Sequence, residues 1–321
     1  MLSFFELSAL FDAHFNKRHF PAQPQNLYDA AQYILSIGGK RVRPVSVLMA
    51  NELFAEINED CYNVATAIEL FHNFSLIHDD IMDKAPVRRG MPTVHIKYGE
   101  ATALLAGDVM FAQAYDYLTR IQLQHVQKII RLFNTTSKQV CEGQQMDMDF
   151  EGRTSVSLDE YVEMITLKTS VLLAASMQLG AMLGGASQHN QEHLYEFGKN
   201  IGIAFQVQDD YLDAFGDPEK FGKQVGGDIL ANKKTFLLIH ALEVANAEQK
   251  QALHAALAGN EINKVATVQQ IFRDCKVDAW ANALKQKYYE AGIKHLEAVA
   301  VLQKRKTVLE TLATDLLMRD Q

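Results

Sequence analysis

The sequence predicts an all-α protein, a single large helical bundle formed as one domain over residues 1–321. Three observations point there. Apolar residues recur at helical spacing along nearly the whole chain. Alternating β-branched runs bounded by turn pairs are nearly absent, so no sheet of consequence is expected. There are only six prolines, Pro21, Pro24, Pro44, Pro86, Pro92 and Pro218, and they fall at breaks or first turns of the helical pattern.

Taken in order, the periodicity predicts helices over residues 2–15, 27–37, 42–55, 62–82, 101–119, 126–150, 158–183 and 191–215. Further helices follow over 234–244, 247–257, 262–275, 277–302 and 307–318. The helices ending at 82 and 215 are apolar round most of their circumference, which places them in the middle of a bundle. No Gly/Ser-rich or charged linker interrupts the pattern, and there is no short-period repeat. A hydrophobic fraction of 48% supports a sizeable core.

The net charge of −8 argues against a broad nucleic-acid or anionic-membrane surface. Cys61, Cys141 and Cys275 are scattered without metal-binding spacing and read as reduced, packed thiols. The first twenty residues show helical spacing broken by Glu6, Asp12 and His14, without the basic-then-apolar order of an export signal. No apolar run reads as long enough to cross a bilayer. A cytoplasmic protein with no nucleic-acid partner and no stable membrane insertion is expected.

Chemistry concentrates at two helix ends. The helix predicted over 62–82 closes on Asp79-Asp80-Ile81-Met82-Asp83. Residues four apart share a helix face, roughly 6 Å apart along the axis, so Asp79 and Asp83 point together while Asp80 sits about 100° round. Two like charges at that separation repel by roughly 2.8 kcal/mol at an effective dielectric of about 20. A hard divalent cation such as Mg²⁺ offsets this naturally. On its own, such a motif is more often a solvated helix terminus. About 130 residues further on the chain repeats it, as Asp209-Asp210-Tyr211-Leu212-Asp213 after another apolar run, with Gln206 on the same face.

Two basic segments accompany them. Gly38-Gly39-Lys40-Arg41-Val42-Arg43-Pro44 sets glycines and cations at a helix junction, suited either to an anion or to a simple helix C-cap. Arg88-Arg89-Gly90 follows the first acidic motif, where paired guanidinium groups are suited to diphosphate oxygens.

The ordered set is specific. Gly-Gly-Lys-x-x-Arg-Pro, the first acidic motif with Arg88-Arg89-Gly90, Gly143-Gln144-x-x-Asp147, Lys168-Thr169 and the second acidic motif occur in one order. From about residue 38 to residue 233 the chain resembles the trans-isoprenyl diphosphate synthases, which include farnesyl and geranylgeranyl diphosphate synthases. The resemblance implies the isoprenoid synthase fold, with an apolar central cavity between the two Asp-rich helices. It implies that Asp79, Asp83 and Asp209 coordinate three Mg²⁺ ions holding an allylic diphosphate, supported by Asp80, Asp210 and Asp213. Arg88, Lys168, Lys223 and Lys233 match the cations gripping that diphosphate. Gly39, Lys40, Arg43, His72 and Arg89 match the positions that hold isopentenyl diphosphate. Thr169 and Gln206 match groups facing the reacting carbons, so that Lys168, Thr169 and Gln206 form the catalytic set. Gln144 and Asp147 match residues that orient the cations. A homodimer is expected on the same resemblance. The reaction it implies is ionisation of the allylic C–O bond, attack by the isopentenyl double bond, and loss of a proton to the departing diphosphate.

Chain length is expected to depend on the residues beneath the first acidic motif. Ser75 lies one turn below Asp79 and leaves room, while Phe74 beside it and the deeper Phe71 can form a floor. One aromatic with a small neighbour resembles geranylgeranyl (C20) formers more than farnesyl (C15) formers. Eukaryotic farnesyl synthases often end in a basic tail; this sequence ends Leu317-Met318-Arg319-Asp320-Gln321, so closure over the second substrate is open. Lys304-Arg305-Lys306 is expected to be a solvated helix start. Three rivals remain: a non-catalytic partner subunit, a terpene cyclase, and an acidic bundle that binds divalent ions structurally. The six retained carboxylates argue against the first, the Gly-Gly-Lys-x-x-Arg segment against the second, and Arg88-Arg89 with Lys168-Thr169 against the third.

Overall fold

A computed structural model describes residues 1–216, 225–259 and 263–318. Lys223 and Pro218, the predicted helix start at residue 262 and the terminal residues 319–321 lie outside the described residues. The fold is all-α. Its helices are α1 Phe4–Phe15, α2 Gln25–Ser36, α3 Val42–Glu52, α4 Glu59–Met82, α5 Val94–Tyr98, α6 Glu100–Leu118, α7 Leu123–Gly152, α8 Leu158–Ile165, α9 Val171–Leu183 and α10 Gln188–Phe215. They continue as α11 Gly227–Leu230, α12 Phe236–Val244, α13 Ala247–Ala258, α14 Lys264–Asp274, α15 Val277–Ala298 and α16 Gln303–Leu317. Among the described residues, the strands β1 Val87–Arg88 and β2 Met91–Pro92 form a single two-stranded antiparallel ribbon.

Helix starts follow local capping. The Ser3 hydroxyl accepts the Glu6 N–H while the Glu6 carboxylate accepts the Ser3 N–H, which starts α1 later than its apolar pattern begins. The Asn58 side chain accepts the Cys61 N–H, so α4 begins a turn before its apolar run. The stretch predicted as one helix over 158–183 is interrupted by a π-helical turn, Thr166–Ser170.

The chain forms two compact units. The first comprises Met1–Thr136, Ala175–Tyr195 and Val299–Val308. Here α4 packs against α3 and α6, and α1 against α3. Its core includes Leu7, Phe11 and Phe15 of α1, Val47, Leu48 and Met49 of α3, and Ile68, Leu70 and Phe71 of α4. The buried run from Asn63 to Phe71 matches the expectation that α4 is enclosed on most sides. The Lys304-Arg305-Lys306 cluster departs from expectation. Lys306 is buried, and the Arg305 guanidinium donates to the Leu53 carbonyl at 2.7 Å. Arg305 ties the helix start to the end of α3, and Lys304 is the exposed residue of the three.

The second unit comprises Ser137–Ala174, Glu196–Ala298 and Leu309–Gln321. In it α12 packs against α8, α14 and α15 around a core that includes Phe150, Tyr161, Ile203, Val207, Phe236, Leu253, Phe272 and Leu284. The helical run Leu158–Leu183 is long and apolar enough to cross a membrane, contrary to the sequence expectation, but 72% of its apolar window is buried in the protein. Its apolarity serves the core. Of the cysteines only Cys61 is fully packed; Cys141 is exposed.

Candidate active site

In the first unit the end of α4 presents the first acidic motif. Asp83 caps the helix, its N–H donating to the Asp79 carbonyl at 2.8 Å, and keeps helical geometry. The Asp79 and Asp83 side chains therefore share a face as the spacing predicts, with Asp83 exposed and Asp79 partly so. Asp80 is different. It is 2% exposed, and both its oxygens accept hydrogen bonds of 2.7–3.0 Å from the Arg88 guanidinium. The β1–β2 ribbon carries Arg88 back to the helix end, pinned by the Ala85 N–H on the Asp80 carbonyl (3.0 Å) and the Thr93 hydroxyl on the Ala85 carbonyl (2.7 Å). Asp80 is thus committed to orienting Arg88.

The basic segments meet at the start of α3. A Cβ on Gly39 would lie 2.9 Å from Arg89 Nη1, so glycine is what lets this guanidinium lie against the backbone. Arg43 Nη1 donates to His72 Nε2 at 3.2 Å. Burial first, then the charges of Arg43, Arg89, Arg88 and Arg41, hold the His72 pKa well below the usual histidine range, so it is neutral and accepts this bond. Gly39, Arg43, His72, Arg88 and Arg89 are therefore one cationic group, with Lys40 exposed on the adjoining turn. The buried Arg41, in left-handed conformation (φ 52°), donates to the carboxylates of Glu69 and of Asp12 (3.2 Å) and lies over the Phe15 ring. Sequence reasoning missed Arg41, Glu69 and Asp12 as supports. Buried charges need partners, but nothing local in the sequence pairs these three.

Below the motif, the Ser75 hydroxyl donates to its own helix at the His72 carbonyl, 2.8 Å. The Phe74 ring stacks on Phe111 of α6, with centroids 4.9 Å apart. Phe71 is fully buried against Phe74, Phe111 and Phe133 at 5.3–5.6 Å. Phe111 and Phe133 were not singled out in the sequence.

In the second unit the π-turn presents Lys168 and Thr169 to a cavity of about 510 Å³. At Gly143, α7 approaches the π-turn so closely that a Cβ would lie 2.2 Å from the Lys168 backbone nitrogen. That contact lets Lys168 Nζ donate to Asp147 Oδ2 at 2.5 Å. Thr169 donates to Gln206 Oε1 at 3.1 Å, Gln206 donates to Asp210 Oδ1 at 2.8 Å, and the Tyr161 hydroxyl donates to Asp210 Oδ2. Asp210 is buried, and burial foremost, then Asp228, pushes its pKa up to about 7. The same cavity is lined by Asp147, Asp209, Asp213, Asp228 and Lys233. Gln144 is buried, and neither of its side-chain amide atoms is hydrogen-bonded among the described residues.

Asp228 was missed in the sequence, where its signal is Gly226-Gly227-Asp228 ahead of Lys233-Lys234-Thr235. Its N–H donates to Asp213 Oδ1 at 2.9 Å, and Lys233 Nζ lies 3.7 Å from its carboxylate. Burial first, with Asp213, Asp209 and Asp147 adding repulsion against the attraction of Lys233, pushes the Asp228 pKa up to about 6. Carboxylates crowded enough to raise one another's pKa suit a hard cation. Among the described residues no three acidic, histidine or cysteine side chains already form a cage.

A polyprenyl synthetase family profile matches residues 24–275. The chain belongs to the polyprenyl synthetase family. This synthase is 45% identical over 223 residues to a geranylgeranyl diphosphate synthase of Methanosarcina mazei, the match covering 69% of each chain. It is 39% identical over 237 residues to a geranylfarnesyl diphosphate synthase of Natronomonas pharaonis, covering 68% of this chain and 70% of that one. A crystal structure of a geranylgeranyl pyrophosphate synthase matches it with a TM-score of 0.95 at 39% identity, over 100% of both chains. The synthase is a short-chain trans-prenyltransferase of the isoprenyl diphosphate synthase family, and its substrates are isoprenyl and allylic diphosphates.

Proposed function

We propose that this prenyltransferase condenses isopentenyl diphosphate with an allylic diphosphate in the presence of Mg²⁺, and that its product is geranylgeranyl diphosphate. The observation that carries the reading is the cavity in which Asp209, Asp213 and Asp228 stand with Lys168 and Lys233, carboxylates for a metal beside ammonium groups for a diphosphate.

In this reading Mg²⁺, three ions by the resemblance, would bind Asp79 and Asp83 at the end of α4, and Asp209 with Asp213 in support at the end of α10. Bound Mg²⁺ neutralises charge as the allylic C–O bond ionises. Lys168 and Lys233 grip the departing diphosphate, and Asp147 fixes the Lys168 ammonium in place. Thr169 and Gln206 stand at the reacting carbons, with Asp210 and Tyr161 setting the orientation of the Gln206 amide. Isopentenyl diphosphate is held by Lys40, Arg43 and Arg89 over the Gly39 backbone, and neutral His72 fixes the Arg43 fork. Asp80 acts through Arg88. The C20 product accords with the Phe74 ring stacked on Phe111 beside Ser75 and with the similarity to geranylgeranyl diphosphate synthases. A C25 product is the second reading, favoured by the similarity to a geranylfarnesyl diphosphate synthase.

The exposed Leu104 and Leu105 of α6, with Ile96 of α5, support a homodimer, checked by sedimentation at micromolar concentration. We place the enzyme in the cytoplasm, in keeping with its three free cysteines. The deciding experiment incubates purified enzyme with Mg²⁺, isopentenyl diphosphate and C5, C10 or C15 allylic primers, then sizes the products. Elongation ending at C20 is expected. No elongation from any primer would overturn catalysis in favour of a partner subunit, and termination at C15 or C25 would overturn the product.

A further inference from the structure

A lysine buried in a protein core keeps its charge only if its ammonium is hydrogen-bonded. Lys264, the first residue of α14, is 4% exposed and forms no ion pair among the described residues. Its Nζ donates instead to Asn232 Oδ1 at 2.7 Å and to the Leu230 carbonyl at 3.4 Å. Both acceptors belong to the turn that carries the cavity's Asp228 and Lys233. Leu230 ends the four-residue helix α11; the Gly227 and Ile229 carbonyls accept from Ala231 and Asn232, and Lys264 takes the Leu230 carbonyl. Asn232 is in left-handed conformation (φ 56°), which an asparagine side chain tolerates when it is held. The reversal at Asn232 brings the Lys233 N–H onto the Asp228 carbonyl at 2.9 Å.

The turn is anchored on its other side by Asp213, whose carboxylate accepts the Asp228 N–H and whose carbonyl accepts the Gly226 N–H at 2.6 Å. Val265, next to Lys264, closes the same contact. A Cβ at Gly226 would lie 2.5 Å from its Cγ1. The Asp228–Lys233 turn is therefore held between the end of α10 and the start of α14, and Lys264 supplies the polar half of the second hold.

We propose that Lys264 is a positioning residue for substrate binding: from outside the cavity lining it fixes the Asn232 turn, and so sets Lys233 where the allylic diphosphate is gripped. The inference rests on the reading of Lys233 as a diphosphate grip, and the test separates the two. Lys264→Met keeps the stem and removes the donors, leaving Asn232 Oδ1 and the Leu230 carbonyl without their bonds, which costs some stability. A melting temperature lower by a few degrees, with the protein still folded at the assay temperature, is expected together with a rise of about tenfold in KM for the allylic diphosphate. The KM for isopentenyl diphosphate stays unchanged. Lys264→Gln, which retains a donor, recovers most of the loss. Asn232→Ala, which removes the acceptor, reproduces it should the Met variant fold poorly. Lys233→Ala raises the same KM, and the double variant Lys233→Ala/Lys264→Met is no worse than Lys233→Ala. If Lys233→Ala leaves that KM unchanged, the grip itself is wrong and the inference goes with it. If Lys233→Ala raises it while folded Lys264→Met does not, or if the two effects multiply, Lys264 acts only on stability.

Discussion

The two Asp-Asp-x-x-Asp segments look alike as sequence, and their middle carboxylates, Asp80 and Asp210, are both buried. Their partners are not alike. Asp80 is met by a full positive charge, the two-pronged guanidinium of Arg88. Asp210 is met by neutral donors, the Tyr161 hydroxyl and the Gln206 amide, and burial foremost, then repulsion from Asp228, raises its pKa to about 7. One motif thus uses its middle residue to hold an arginine. The other uses it to hold the glutamine and phenol that line the cavity. Equal spacing within a helix decides which carboxylates share a face, and groups outside the helix decide what each carboxylate is for.

The largest expected effect lies with the outer carboxylates. Asp79→Ala and Asp209→Ala should each lower kcat/KM by about a thousandfold or more, the scale of removing a charge-stabilising contact. The melting temperature of Asp209→Ala should hold or rise, because that change relieves repulsion with Asp210 and Asp228. A variant retaining near-normal activity would remove that helix end from the metal site.

The middle carboxylates should differ in stability. Asp80→Asn leaves Arg88 without its buried counter-charge and should cost about 3 kcal/mol, whereas Asp210→Asn keeps a neutral acceptor and should cost about 1 kcal/mol. Urea unfolding of the two variants at pH 7 measures the gap, and equal losses would break the comparison.

The pH dependence sharpens it. The folded pKa of Asp210 is raised, so its contribution favours folding at low pH and is lost as pH rises from about 4 to about 7. His19 runs the opposite way. Burial lowers its pKa to about 4, so its contribution is present above about 6.5 and is lost as pH falls toward 4. Comparing urea midpoints at pH 5 and pH 7, Asp210→Asn should raise the relative stability at pH 7, and His19→Gln should raise it at pH 5.

The smallest effect on rate is read in the product. Phe74→Ala and Phe71→Ala should each lengthen the main product by at least one C5 unit, Phe74→Ala also freeing the Phe111 face. An unchanged product distribution in both would leave these rings as packing alone.

Much of the fold was legible because long amphipathic and apolar periods are local properties. Each helix of nine or more residues corresponds to a predicted segment, with ends shifted by caps such as Asn58. The short α5 and α11 and the β1–β2 ribbon were not anticipated, since such pieces exist only where packing supports them. The π-turn at Lys168 was equally hidden. Its residues are ordinary helix formers, and Gly143, which lets α7 approach it so closely, lies 25 residues away in sequence.

The sequence by itself determined the helical class, the paired faces of Asp79 with Asp83 and Asp209 with Asp213, and the family, because helix period and motif order are carried by neighbouring residues. Only the tertiary structure decided that Asp80 serves Arg88, that Asp228 joins the cavity beside the second acidic motif, and that Lys264 holds the turn bearing Lys233. Charge compensation and burial come from segments distant in the chain, and no local pattern records which of them meet.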